Sequence, residues 1–217
     1  MNSTSSNQPG KFITIEGVEG VGKSTNIGFI RDYLNERGIE FIQTREPGGT
    51  ELAESIRALL LQERRETVDS TTELLLVFAA RSQHLSNVIR PALERGCWVL
   101  CDRFTDATYA YQGGGREIGS EKISILEHMV QDQLRPDLTL ILDLDPELGL
   151  KRAADRGELD RFEKERVEFF HRVRDTYLQI AEKEPERCKI VDASHPIETV
   201  RATTLEFVAS LCKEVSS

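Results

Sequence analysis

The chain has 217 residues, a formal net charge of −9 and 39% hydrophobic residues. That length allows one sizeable core and is short for two full domains, so one domain with inserted lobes is expected. The acidic balance argues against a general nucleic-acid binder, which is usually basic, but it leaves room for a small anion held by arginines concentrated in one cleft.

Met1 to Gly10 is polar, rich in Ser, Thr and Asn, and lacks the apolar stretch of a signal peptide. A disordered tail is expected there, with the domain running from 11 to 217. Phe12-Ile13-Thr14-Ile15 reads as a short strand that stops at a glycine-rich loop. Asn26 to Arg37 reads as a helix, ended at Gly38 by a left-handed backbone. Phe41-Ile42-Gln43-Thr44 is a second strand, closed by Pro47-Gly48-Gly49. The longest fully apolar run, Leu74 to Ala80, falls far short of the ~20 residues that span a bilayer, so no membrane segment is expected.

Trp98-Val99-Leu100-Cys101 is a third strand, Leu138 to Leu142 a fourth and Lys189-Ile190-Val191 a fifth. Strands this short and apolar are buried on both faces, and the segments between them are long enough for helical crossovers. The expected fold is therefore α/β: a five-stranded parallel sheet with helices on both sides. Gly113-Gly114-Gly115 and the charged stretch from Arg156 to Arg166 look like inserted mobile lobes. The helix from Pro196 to Glu214 carries apolar residues spaced to pack on the sheet.

The four cysteines, Cys97, Cys101, Cys188 and Cys212, form no CxxC pair and no zinc spacing with histidine. Cys97 and Cys101 flank an apolar strand and read as buried thiols. Reduced thiols suit a cytoplasmic location. His84, His128, His171 and His195 are scattered, with no pair at ligand spacing.

Gly17-Val18-Glu19-Gly20-Val21-Gly22-Lys23-Ser24 matches G-x-x-x-x-G-K-[ST] in full. Glycines let the backbone curl so that successive N–H groups point at phosphate oxygens, and the next helix offers its positive end to the same anion. Lys23 reaches the β- and γ-phosphates, and the Ser24 hydroxyl is placed to ligate Mg²⁺. ATP with Mg²⁺ is the expected ligand, bound by Gly17 through Thr25. No N-K-x-D element for guanine occurs.

Asp102 and Arg103 follow the third strand, where a parallel sheet opens its ligand crevice. Asp102 is a candidate for holding Mg²⁺ through water or for binding the acceptor. Arg103 can fork a phosphate with two hydrogen bonds. Arg45, Arg57 and Arg81 also fall at expected crevice positions, which favours an anionic acceptor.

From Phe12 to about Phe207 the chain resembles the bacterial thymidylate kinases. The resemblance is carried by Glu16 to Thr25, by Thr44-Arg45-Glu46-Pro47-Gly48-Gly49-Thr50 and by Phe78-Ala79-Ala80-Arg81. It continues in Asp102-Arg103-Phe104 with Tyr109-Ala110-Tyr111-Gln112-Gly113-Gly114, and in Arg156-Gly157-Glu158-Leu159-Asp160-Arg161. It implies a P-loop nucleoside monophosphate kinase fold with a small lid at about 152–166, a homodimer, and transfer of the γ-phosphoryl group of ATP to dTMP. By position, Glu19 meets the 3′-hydroxyl of the acceptor sugar, and Arg57 and Arg103 clamp its phosphate. Arg81 bonds the thymine edge, Thr108 and Gln112 read or support the base, and Tyr111 blocks a ribose 2′-hydroxyl. Relatives stack an aromatic ring on thymine four residues before that arginine. Here Val77 stands there and Phe78 follows, so either Phe78 is the ring or the base packs on an aliphatic wall.

Phosphoryl transfer needs positive charge at the γ-phosphate when the site closes. The variable loop positions, Val18, Glu19, Gly20 and Val21, supply none. Arg156 and Arg161 are the favoured lid cations, with Arg152 as a third candidate, matching the family subtype whose catalytic arginine sits in the lid. Another P-loop nucleotide kinase and a non-catalytic ATP-dependent switch are the alternatives. A switch has no second phosphate for Arg57 and Arg103 to hold.

Overall fold

The computed structural model describes residues 10–155 and 160–215. The expected tail up to residue 9, and Arg156, Gly157, Glu158 and Leu159 of the expected lid, lie outside the described residues. Gly10 does not belong with a disordered tail: it is buried and donates its N–H to Leu93 O at 2.9 Å. A Cβ there would run into the Cys97 carbonyl.

The chain opens with β1 (Phe12–Glu16), α1 (Lys23–Glu36), β2 (Phe41–Arg45), α2 (Glu51–Leu61) and α3 (Ser70–His84). A π-helical turn, Leu85–Ile89, continues α3 into α4 (Arg90–Glu94). Then come β3 (Trp98–Asp102), α5 (Thr105–Thr108) and a second π-helical stretch, Tyr109–Gly115. After α6 (Ser120–Gln131) and β4 (Leu138–Asp143) follow α7 (Pro146–Ala154), α8 (Val167–Lys183), β5 (Cys188–Asp192) and α9 (Ile197–Val215).

The five strands form one parallel sheet in the order β2-β3-β1-β4-β5. The central strand β1 is buried throughout, which is why it reads as an almost continuous apolar run. Its alternate residues feed two cores. Ile13 and Ile15 pack with Ile27, Ile30 and Leu34 of α1, with Phe170 and Val173 of α8 and with Val200 and Val208 of α9. Phe12 packs on the other side with Leu85, Ile89, Val99, Cys101 and Phe104.

Local chemistry starts the helices where they are needed. Thr50 caps α2 by accepting from Ala53 N, and Asp69 caps α3 through the N–H groups of Thr71 and Thr72. The N-cap of α1 is Gly22, in a left-handed conformation (φ 93°) with no side-chain cap. The helix therefore begins at Lys23, earlier than Asn26, and its first N–H groups stay available for a ligand.

Gly113, Gly114 and Gly115 do not form a mobile lobe. They end the π-helical stretch that packs against α8, where Cβ atoms at Gly114 and Gly115 would collide with Thr176 and with the Phe169 ring. Small residues are required there because two helices meet at close range.

Candidate active site

Parallel pairing of β1 with β3 sets Ile15 beside Asp102. The turn after each strand therefore opens at the same edge of the sheet, where doubly wound folds bind ligands. Gly17 to Gly22 forms the loop after β1. Val18 and Val21 are buried in the core, so these two positions offer a ligand their backbone and not their side chains. A Cβ at Gly20 would run into the Gly149 carbonyl of α7, which explains the glycine by close approach. Lys23 Nζ donates to Gly17 O at 3.3 Å and Val18 O at 3.1 Å, and lies 4.0 Å from Glu19 Oε2. Burial lowers its pKa and the nearby Arg103 charge acts in the same sense, while Glu19 and Asp102 oppose them.

A cleft lined by Gly20, Gly22, Lys23, Ser24 and Asp102 lies on the loop side. Ser24 and Thr25 are exposed at the start of α1. Asp102 Oδ1 is buried and has no hydrogen-bond partner. A buried oxygen without a partner suits a metal ion or its water, and Ser24 borders the same cleft. Among the described residues, no cluster of three or more His, Cys, Asp or Glu could hold a metal unaided.

A second cavity meets this cleft at Glu19, Arg57, Arg103 and Asp160. Its other walls include Glu46, Val77, Arg81, Phe104, Thr108, Tyr111, Gln112 and Phe162. The structure thus brings together Glu19, Arg57, Arg81, Arg103, Thr108, Tyr111 and Gln112, from four separate stretches of chain. Arg103 has a left-handed backbone (φ 69°), a strained conformation for a residue with a side chain. It donates to Glu19 Oε1 at 2.7 Å and to Gly17 O at 2.9 Å, and its guanidinium lies 4.7 Å from the Tyr111 ring centroid. Tyr111 donates to the same Glu19 oxygen at 2.9 Å. Arg57 is held by Pro47 O at 3.0 Å.

Arg81 is 1% exposed. Its Nε donates to Glu46 Oε2 at 2.7 Å, and Nη2 donates to Phe104 O at 3.0 Å and Thr108 Oγ1 at 2.9 Å. Its Nη1 is buried without a partner. Glu46 is bonded on its other oxygen by His84, which also bonds Thr44. His84 therefore supports Glu46, and Glu46 holds Arg81. The run Arg45-Glu46-Pro47 at a strand end was the available sequence signal for Glu46. Glu16 and Tyr177 form a further unforeseen pair behind Arg103: Tyr177 OH donates to Glu16 Oε2 and accepts from Arg103 Nη1 at 3.3 Å.

Two expectations are corrected. Phe78 does not line the cavity; its ring is buried with Leu74 and Ile123, and Val77 faces the cavity instead. One helical position separates the two, and α6 covers Phe78. Arg45 stands at the crevice as expected: it pairs with Glu54 at 2.7 Å and lines a neighbouring cleft that shares Ser24 and Asp102 with the loop side. Arg161 does not reach the phosphate loop. Its Nε donates to Leu60 O and its Nη2 to Glu73 Oε2, both at 2.7 Å, because a buried carboxylate attracts it more strongly than open solvent. Arg152 is exposed on α7 and borders neither cavity, while Arg156 lies outside the described residues. Cys97 and Cys101 are buried, as expected, and burial holds the Cys101 thiol well above its ordinary pKa.

A family model described as thymidylate kinase matches residues 15–203. A thymidylate kinase of Pseudomonas putida (strain W619) is 60% identical over 190 residues, covering 88% of this chain and 92% of that protein. One from Hahella chejuensis (strain KCTC 2396) is 54% identical over 201 residues, covering 93% and 97%. A crystal structure of thymidylate kinase from Ehrlichia chaffeensis superposes with a TM-score of 0.75 at 37% identity, covering 93% of this chain and 99% of that one.

Proposed function

The chain belongs to the thymidylate kinase family, and from that premise we propose which of its residues carry the family's reaction. The protein is an ATP:dTMP phosphotransferase that makes dTDP and ADP for dTTP synthesis. The observation that carries the residue roles is the junction of two cavities at Glu19, Arg57 and Arg103. One cavity has the loop geometry for a triphosphate. The other has the shape and polarity for a nucleotide whose phosphate points at the first.

In this reading the loop from Gly17 to Thr25 holds ATP through its N–H groups, and Lys23 holds the β- and γ-phosphates. Arg57 and Arg103 clamp the acceptor phosphate in line with the donor. Glu19 takes the 3′-hydroxyl of the sugar, and the Tyr111 ring fills the space of a 2′-hydroxyl. Arg81 offers the free Nη1 donor to the base, with Thr108 and Gln112 beside it and Val77 as an aliphatic wall. The acceptor phosphate is already ionised, so no general base is needed. Arg156 is the proposed lid cation on the family motif.

Mg²⁺ is the proposed cofactor, which Ser24 and Asp102 would hold and which would supply charge neutralisation on the donor phosphates. One kinase domain from 11 to 217, with a lid at about 152–166, is proposed. A homodimer is proposed on the α3–α6 face, where Leu75, Ile125 and Met129 are exposed while Leu74 and Phe78 pack inside. A cytoplasmic location is supported by four free cysteines among the described residues. No helix among the described residues is long and apolar enough to cross a membrane.

The test is ADP release with ATP and Mg²⁺ against dTMP, dUMP, dCMP, dGMP, dAMP and thymidine. Turnover is expected to be strongest with dTMP and absent with thymidine. Tight ATP binding without turnover on any acceptor would point to a switch instead.

A further inference from the structure

Glu73 lies on α3 with no exposed surface, behind the acceptor cavity. Three side chains converge on its carboxylate. Gln112 Nε2 at 3.0 Å and Arg116 Nε at 3.1 Å donate to one oxygen. Arg161 Nη2 at 2.7 Å and Arg116 Nη2 at 3.2 Å donate to the other. Burial works to raise the Glu73 pKa, but the bonds from Arg116, Gln112 and Arg161 hold it below the ordinary value.

The carboxylate touches two parts of the site at once. Gln112 lines the acceptor cavity. Arg161 belongs to the lid, and its neighbours Asp160 and Phe162 line that same cavity. Phe162 packs edge-on to Tyr111, with ring centroids 6.2 Å apart. An ionised carboxylate accepts hydrogen bonds and donates none. Gln112 must therefore turn its NH₂ group toward Glu73, which leaves its carbonyl oxygen for a ligand.

Resting on the reading of this cavity as the dTMP site, we propose that Glu73 is a positioning residue for the acceptor. Its carboxylate orients the Gln112 amide so that an oxygen faces the base, and it latches the lid over the same cavity through Arg161. An oxygen there accepts from the N3–H of thymine and repels the N3 lone pair of cytosine. The free Arg81 Nη1 supplies the matching donor, suited to the O4 of thymine and not to the amino group of cytosine. One buried charge thus ties the polarity of the base pocket to the docking of the lid.

The test is Glu73→Gln, assayed with dTMP and dCMP at saturating ATP and Mg²⁺. An amide at this position donates as well as accepts, so Gln112 is free to turn. The expected result is a fall of about tenfold or more in kcat/KM for dTMP, the worth of one charge-assisted hydrogen bond. The preference for dTMP over dCMP should shrink with it, while KM for ATP holds. An unchanged preference in a folded variant overturns the proposal. Wild-type enzyme that does not turn over dTMP overturns the reading of the site itself. Should Glu73→Gln fail to fold, Arg161→Gln takes its place. It should raise KM for dTMP and abolish the protection that dTMP gives the segment 160–166 against limited proteolysis. Wild-type KM and protection in that variant overturn the latch.

Discussion

Arg103 and Glu19 face each other where the two cavities meet, with Nη2 2.7 Å from Oε1. The pair ties the end of β3 to the phosphate loop after β1. In the proposed reading it sets a cation against the acceptor phosphate and a carboxylate against the sugar. Arg103→Lys keeps the charge but loses the planar fork. It should lower kcat/KM for dTMP by about tenfold to a hundredfold and leave KM for ATP nearly constant. Steady-state kinetics with each substrate varied decides it, and an effect confined to ATP would remove Arg103 from the acceptor side.

Asp102 presents a buried oxygen with no protein partner. Removing Mg²⁺ with a chelator should abolish transfer and restoring it should recover the rate. Asp102→Asn should raise the Mg²⁺ concentration needed for half-maximal rate by about tenfold to a hundredfold, the usual effect of changing a group that orients a metal's shell. A Mg²⁺ titration like the wild type's would mean that Asp102 serves only the fold.

Burial pushes the Glu16 carboxyl from an ordinary 4.5 up to about 8, with Asp106 adding to the rise and Arg103 opposing it. Folded Glu16 therefore keeps a proton that the unfolded chain has released between those two values. The contribution of such a group is present below the lower value and is lost as pH rises toward the upper one. Thermal melts of wild type and Glu16→Gln should diverge in favour of the variant as pH climbs from about 5 to about 8. Parallel curves would show that Glu16 is ionised in the fold.

Tyr111 donates to Glu19 and packs its ring against Phe162, Phe169 and Tyr177. Tyr111→Ala should relax the preference for dTMP over its ribose analogue, whereas Tyr111→Phe should keep it, because in the proposed reading the ring does the excluding. Equal discrimination in Tyr111→Ala would assign the exclusion to another group.

The phosphate loop, the five strands and the pair Asp102-Arg103 were legible in the sequence because each is set by neighbouring residues. Glycine frees the backbone at the loop, and apolar runs report strands buried on both faces. The arginines of the acceptor cavity were legible as crevice residues, but its base and sugar walls only through resemblance. Its walls come from distant stretches of chain, so no local pattern marks them. Three assignments were left to tertiary packing. Leu74, Val77, Phe78 and Arg81 share one helical stripe, and only the arrival of Ile123 from α6 seals Phe78 inside while Val77 faces the cavity. Gly113 to Gly115 read as loop residues, yet close contact with α8 makes them part of a packed helix. Arg161 carries a motif that points to the phosphate, but Glu73 is far away in sequence and was brought near by the fold. Local conformation follows from residue type, while the partner of a long charged side chain follows from which opposite charge the fold buries within its reach.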